Sequence, residues 1–307
     1  MNARVRQTTL REAVSLSGVG VHSGQAVGMT IMPAEAGTGY VFTHAAGRGQ
    51  MKAHVDNIGA TELCTMLQVD DFSVATVEHL LGALSGLEVD NAIIEVDGPE
   101  IPALDGSSAV FVAAIKDVGT VQLAAPRRFI RVLRPFRVEQ GDSFAELRPY
   151  DGRRFEIEIE YRSAVIGRQR FAADLSPGTF ATDIAPARTF GFLREVEALW
   201  ARGLARGASM ENAVVIGDDG VLNGGGLRFL DEFARHKMLD AIGDLALAGA
   251  PILGAYRSYR GGHALNARMV ETFLAAPEAW EFVEAERGRP ARTPDRVPVG
   301  LLEPELT

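Results

Sequence analysis

The stretch Asp231-Glu-Phe-Ala-Arg-His-Lys-Met-Leu-Asp-Ala-Ile-Gly-Asp-Leu245 organises both the fold and the chemistry of this chain. At a helical period of about 100° per residue, His236, Lys237, Asp240 and Asp244 fall within an arc of about 100°. Met238, Leu239, Ile242 and Leu245 fall on the other side and suit a core. His236 and Asp240 stand one helical turn apart, so both reach a single cation. The commonest meaning of such a stripe is an amphipathic helix with a solvated polar face. Two further features weigh against that meaning. Glu78-His79 sits on a second predicted helix, and Gly261-Gly-His263 forms a turn. Together they supply a third ligand, a base and an acid.

Working outward, 307 residues are enough for about two domains. The chain is 47% hydrophobic and 23% charged, which fits a folded protein and excludes a disordered one. Its net charge of −9 gives no bulk attraction to nucleic acid or to an anionic membrane. Two local basic runs stand out, Arg127, Arg128, Arg131 and Arg134, then Arg202 and Arg206. Cys64 is the one cysteine, so no intramolecular disulfide and no thiolate-rich zinc site can form. Any metal must therefore use histidine and carboxylate. The N-terminus carries Arg4, Arg6 and Arg11 without an apolar core, unlike a signal peptide, and no run of eighteen apolar residues occurs. The expected location is the cytoplasm.

Strands are expected at 8–14, 27–32 and 40–43, then a helix capped by Ser73 and running to about Leu87. A compact apolar strand follows at 91–96, and Ser107 or Ser108 opens a helix to Lys116. Residues 122–128, with Ala124-Ala-Pro126, resemble a linker. Beyond it, strands are expected at 129–138, 144–149 and 154–161, helices at 194–202 and 231–248, a strand at 252–259 and a helix at 264–275. Each half thus runs strands, a His-bearing helix, then an apolar strand, the pattern of a weak internal duplication of an α+β unit.

His79, His236 and Asp240 fit a catalytic zinc site with three protein ligands and an open fourth position, although His-x₃-Asp spacing also arises by chance. Glu78 is placed to act as general base toward an attacking water, or is simply a surface glutamate. His263, held between Gly262 and Ala264, suits an oxyanion partner or a general acid, with Asp244 keeping it charged and Lys237 adding positive charge. His22, His44 and His54 receive no role, and Gly224-Gly-Gly226 lacks the Gly-Lys-Ser/Thr ending of a phosphate loop. An acyl-carrier dehydratase with a His-Glu pair, needing neither Asp240 nor metal, is a rival. So is a non-catalytic binding protein, which would need neither Glu78 nor His263. A third is a metal hydrolase of other acylated sugars or amides.

Seven segments carry a resemblance. They are Gly18-Val-Gly-Val-His-Ser-Gly24, Thr76-Val-Glu-His-Leu80, Asp90-Asn91, Pro99-Glu-Ile-Pro102 with Asp105-Gly106, Ala187-Arg-Thr-Phe-Gly191, Phe233 to Leu245, and Gly261-Gly-His-Ala-Leu-Asn266. In order and nearly end to end, they resemble the UDP-3-O-acyl-N-acetylglucosamine deacetylase family, zinc amidases of lipid A biosynthesis. The resemblance implies an α+β fold of two similar domains, each a mainly antiparallel sheet with helices, the helices sandwiched between the two sheets. It implies a first domain at 1–125 carrying Glu78 and His79. The second, at 126–307, carries His236, Asp240 and His263. One catalytic zinc would sit on His79, His236 and Asp240, with Glu78 as base, His263 as acid and Asp244 orienting it. Thr189 would hydrogen-bond the tetrahedral intermediate, and Lys237 and Phe190 would contact substrate. An insert in the second domain would form an acyl passage near Met210 and Val214-Val215-Ile216. The implied partner is the UDP-linked acylated amino sugar and the implied products are UDP-3-O-acyl-glucosamine and acetate. A chain ending near Thr307 implies no fused dehydratase domain.

Overall fold

The computed structural model describes residues 6–47 and 49–285. The first half builds a five-stranded sheet in the order Val14–Val19, Ala26–Met32, Ala92–Val96, Tyr40–His44, Gln50–Lys52. All its pairings are antiparallel except that of Tyr40–His44 with Ala92–Val96. A three-stranded antiparallel meander, Ile58–Ala60, Met66–Val69 and Phe72–Val74, precedes the first His-bearing helix. The second half builds a seven-stranded mixed sheet. Within it Ile252–Tyr259 runs antiparallel to Ser143–Arg148 and parallel to Arg153–Glu160. In both halves the strand that follows the His-bearing helix lies inside its sheet, paired on both edges.

The helices form a layer between the sheets. Glu232–Leu245 packs on Arg153–Glu160 and Arg168–Asp174 on one side and on Glu78–Gly86 on another. Ala109–Val118 packs against Val14–Val19, and His263–Leu274 against Phe136–Gln140 and Ser143–Arg148. One continuous apolar core runs from Leu10 and Ile31 through Leu80, Leu84, Leu239 and Ile242 to Tyr256 and Phe273. The two His-bearing helices approach through glycines. A Cβ on Gly243 would lie 2.0 Å from the Glu78 carbonyl oxygen, and one on Gly82 would lie 3.3 Å from that of Leu239. Only residues without a side chain allow backbones this close. The crossing brings Glu78-His79 onto the same face as His236 and Asp240.

Several sequence expectations change. The helix expected from Ser73 begins only at Glu78. Ser73 lies in the strand Phe72–Val74, whose alternating burial suits the meander. Thr76 then turns the chain at φ +58°, a left-handed conformation uncommon for a β-branched residue. Residues 120–126 are a strand, not a linker, and pair antiparallel with Arg6–Leu10. A two-stranded ribbon tolerates Pro126 because little of the ladder depends on its missing N–H. The strand expected over 129–138 is two strands, Arg128–Val132 and Phe136–Gln140. Strands Arg168–Asp174 and Trp280–Glu284 have no counterpart in the sequence reading.

Four of the six arginines in the basic runs pair with carboxylates. Arg127 is 1% exposed and pairs with Glu88 and Asp90. Arg131 pairs with Glu281, Arg134 with Glu278 and Arg202 with Glu62. Among the described residues no helix is long and apolar enough to cross a membrane.

Candidate metal centre and active site

The polar face of Glu232–Leu245 is buried, contrary to a solvated stripe: His236 is 2% exposed, Asp240 1% and Asp244 1%. Burying such groups is costly unless each has a partner. His79 on the crossing helix supplies one. His79 Nε2 lies 3.5 Å from Asp240 Oδ1, and His236 Nε2 lies 3.4 Å from the same oxygen. The two imidazoles stand edge to face with centroids 5.0 Å apart. One ligand atom from each of the three residues lies within 4.8 Å of the others, a spacing that suits a single ion.

The donor set fits a metal on three further grounds. Asp240 Oδ1 is buried and makes no hydrogen bond, so it faces the histidines with a lone pair unused. Its other oxygen accepts a hydrogen bond from Lys237 Nζ at 2.8 Å. His236 Nδ1 donates to the carbonyl of Ala187 at 3.1 Å, which leaves the Nε2 lone pair for a cation. Burial lowers the pKa of His236 to about 3, so its ring is neutral and able to ligate. Burial opposes charge on Asp240, but neighbouring His236 and Lys237 hold the carboxyl well below the usual range.

A second group, Glu78, Asp240 and His263, shares the Asp240 corner. Glu78 is 2% exposed; burial raises its pKa, while His263 and His79 oppose the rise. Glu78 Oε2 accepts the backbone N–H of Thr65 at 3.0 Å. His263 Nε2 stands 3.9 Å from Glu78 Oε1 and 3.9 Å from Asp240 Oδ2, beyond hydrogen-bond reach. Its Nδ1 donates to Asp244 Oδ2 at 3.0 Å. Burial lowers the His263 pKa, but Asp244 and Glu78 outweigh it and push the ring up to about 9. Asp244 also accepts from Thr65 Oγ at 2.6 Å and from Asn266 Nδ2 at 2.8 Å. Tyr256 in turn donates to Asn266 Oδ1 at 2.5 Å.

The segment 187–190 borders His236 and Lys237. Ala187 holds His236, and the Phe190 ring centroid is 6.1 Å from that of His236. Lys237 Nζ lies 5.7 Å from the Phe190 centroid. Thr189 is half-buried and tied by backbone hydrogen bonds to Gly106 and Val214. Phe190–Phe192 pairs in parallel with Val214–Ile216 as a separate two-stranded sheet. Val215 is half-buried there, whereas Met210 is 52% exposed.

Three contributors escaped the sequence reading. Thr65 has no local signal, because its partners lie far along the chain. Asn266 sits in the Gly261–Asn266 segment but acts through Asp244. His22 receives no role from sequence, yet His263 and His79 are near enough to disfavour its charge; burial is the main cause lowering its pKa, against Glu100. Its loop is held by Glu100, which accepts the backbone N–H groups of His22 and Ser23 and the Thr76 hydroxyl. Cys64 is buried and burial pushes its thiol up to about 12, so it is an inert packing residue.

Known proteins resemble this chain along most of its length. The family model LpxC, UDP-3-O-acyl N-acetylglycosamine deacetylase, matches residues 7–275. Proteins of Brucella ovis and Brucella canis named UDP-3-O-acyl-N-acetylglucosamine deacetylase are each 52% identical over 282 residues, covering 91% of this chain and 99% of theirs. One of Brucella melitensis biotype 2 is 51% identical over the same span. With the match running through both halves and every proposed ligand, the chain belongs to the UDP-3-O-acyl N-acetylglycosamine deacetylase family.

Proposed function

We propose that this protein is a zinc-dependent amidohydrolase that removes the N-acetyl group of UDP-3-O-acyl-N-acetylglucosamine, releasing acetate and UDP-3-O-acyl-glucosamine in lipid A biosynthesis. The observation that carries the reading is the buried Asp240 Oδ1 with no hydrogen bond, flanked by two imidazole nitrogens. His79, His236 and Asp240 would hold the ion, one per chain. When bound, zinc supplies Lewis acidity toward the amide carbonyl and toward water.

The chain's own groups supply the proton movements. Glu78 Oε1 accepts the proton of the attacking water as its oxygen bonds to the carbonyl carbon. His263, as imidazolium, faces the oxygen that gains negative charge and then gives its Nε2 proton to the sugar nitrogen as the C–N bond breaks. Asp244 keeps that ring charged and oriented. We assign Thr189 a hydrogen bond to the tetrahedral intermediate, and Lys237 and Phe190 contact with substrate. Val215 and Met210 are assigned to the acyl passage; the exposure of Met210 fits a position at its mouth. In this reading residues 1–125 and 126–307 are the two domains, their outermost parts lying outside the described residues, the site lies between them, and the reaction occurs in the cytoplasm.

The decisive experiment is a deacetylation assay on the UDP-linked substrate before chelation, after it, and after zinc is restored. Activity should vanish with the metal and return with about one equivalent. Full turnover by verified metal-free protein would reject the metal-dependent reading.

A further inference from the structure

We propose that Thr65 is a positioning residue: it ties the base and the acid of the site into one frame, and its hydroxyl fixes the reactive orientation of His263 through Asp244. This rests on the roles given above to Glu78 and His263. Thr65 is 1% exposed and lies just before the strand Met66–Val69. It makes three directed contacts. Its carbonyl accepts the N–H of Val77, where the first His-bearing helix begins. Its N–H donates to Glu78 Oε2 at 3.0 Å. Its hydroxyl donates to Asp244 Oδ1 at 2.6 Å. One small residue of the first half thus grips a carboxylate on each of the two crossing helices.

The consequence is directional. Each bond occupies the carboxylate oxygen that points away from His263. Glu78 Oε1 is left facing His263 Nε2 across 3.9 Å, and Asp244 Oδ2 is left to hold His263 Nδ1. The 3.9 Å separation is too wide for a hydrogen bond, so neither atom is consumed by the other and both stay free to bond a reacting group beside them. Without the hydroxyl, Asp244 would keep Asn266 as a donor but lose the restraint on its rotation. The imidazolium would then wander by more than the few tenths of an ångström that orientation-dependent steps allow.

The test compares Thr65→Val, which keeps shape and backbone N–H but removes the hydroxyl, with Thr65→Ser, which restores it. In the zinc-loaded protein Thr65→Val should lower kcat by roughly 10- to 100-fold, the worth of one hydrogen bond to a charged group, with KM and metal content unchanged. Thr65→Ser should recover most of the loss. In an Asp244→Asn background Thr65→Val should cost little more, because both changes act through the same path. An unaltered kcat in Thr65→Val, or an equal loss in both backgrounds, would overturn the proposal. A wild type inactive on the UDP-linked substrate would instead sink the functional reading. Positioning is then judged without turnover, from the His263 Nδ1–H proton resonance in metal-free protein. Thr65→Val should shift that resonance; an unmoved one would count against the proposal.

Discussion

At the scale of single residues, Glu78 and His263 differ from the ligands in what their loss should do. Glu78→Ala removes the proposed base without removing a proposed ligand. It should retain about one zinc and lose roughly 10²–10⁴ in rate, the usual worth of general base catalysis. Metal analysis beside a rate assay checks this, and a Glu78→Ala protein of normal rate would refute the assignment. His236→Ala should instead lose metal and turnover together. The pH profile tests His263. Its pKa is raised to about 9, so the active imidazolium persists through neutral pH and is lost as pH rises. A cation on the neighbouring ligands repels that charge, so the limb of the loaded enzyme lies below about 9. Asp244→Asn removes the chief attraction and should move the limb to lower pH; a limb that stays put or moves up would reject the pair. Stability carries the same sign. The ring's contribution is fully present below the unfolded value of about 6.5 and is lost as pH rises through about 9.

At the scale of elements, the site depends on how closely two helices cross. Gly243→Ala would set a methyl group 2.0 Å from the Glu78 carbonyl oxygen, which is backbone and has no rotamer to yield. The helices must part, at a cost of about 1–3 kcal/mol or more, and the His79 to Asp240 distance must grow with them. Gly82→Ala meets its nearest atom at 3.3 Å and should cost less. Thermal melts rank the two, and zinc affinity should fall in the same order. A second element-scale link is the buried pair of Arg188 and Glu232, which ties the Ala187–Thr189 segment to the start of the ligand helix. Glu232 is fully buried, so Arg188→Leu would leave its charge with backbone N–H donors but no cation and cost about 3–5 kcal/mol, readable as a lowered denaturation midpoint.

At the scale of the whole molecule, the proposed ion joins the two halves of the chain, with His79 from one and His236 and Asp240 from the other. Zinc should therefore raise the melting temperature in a concentration-dependent way, since it binds the assembled interface and not the separated halves. A melt unaffected by metal would argue against a bridging site. The acyl chain tests the other side of the assembly. Each buried CH₂ should contribute about 0.8 kcal/mol before ordering costs reduce it, so a substrate lacking the 3-O-acyl group should react far more poorly. Val215→Trp should lower kcat/KM more for long chains than for short ones. Equal rates with and without the acyl group would mean that the sugar nucleotide alone is recognised.

The residues proposed to carry the chemistry were legible in the sequence because a helix maps spacing onto geometry. His236, Asp240 and Asp244 share a face at any 3.6-residue period, and Glu78-His79 and Gly261-Gly-His263 announce themselves by residue type. The α+β class followed from the order of strands and helices in each half; in the strand Arg153–Glu160 the alternate residues Phe155, Ile157 and Ile159 are buried, and Glu158 on the other face is buried with them. Three things depended on tertiary structure. Whether the polar stripe faced water or a partner was decided by the helix crossing at Gly82 and Gly243, since periodicity marks a face without saying what covers it. Whether residues 120–126 joined two domains or paired with Arg6–Leu10 was decided by a partner more than a hundred residues away. Thr65 entered the site only through bonds to Glu78 and Asp244. A hydroxyl advertises its role through its partners, and those partners meet only when the chain has folded.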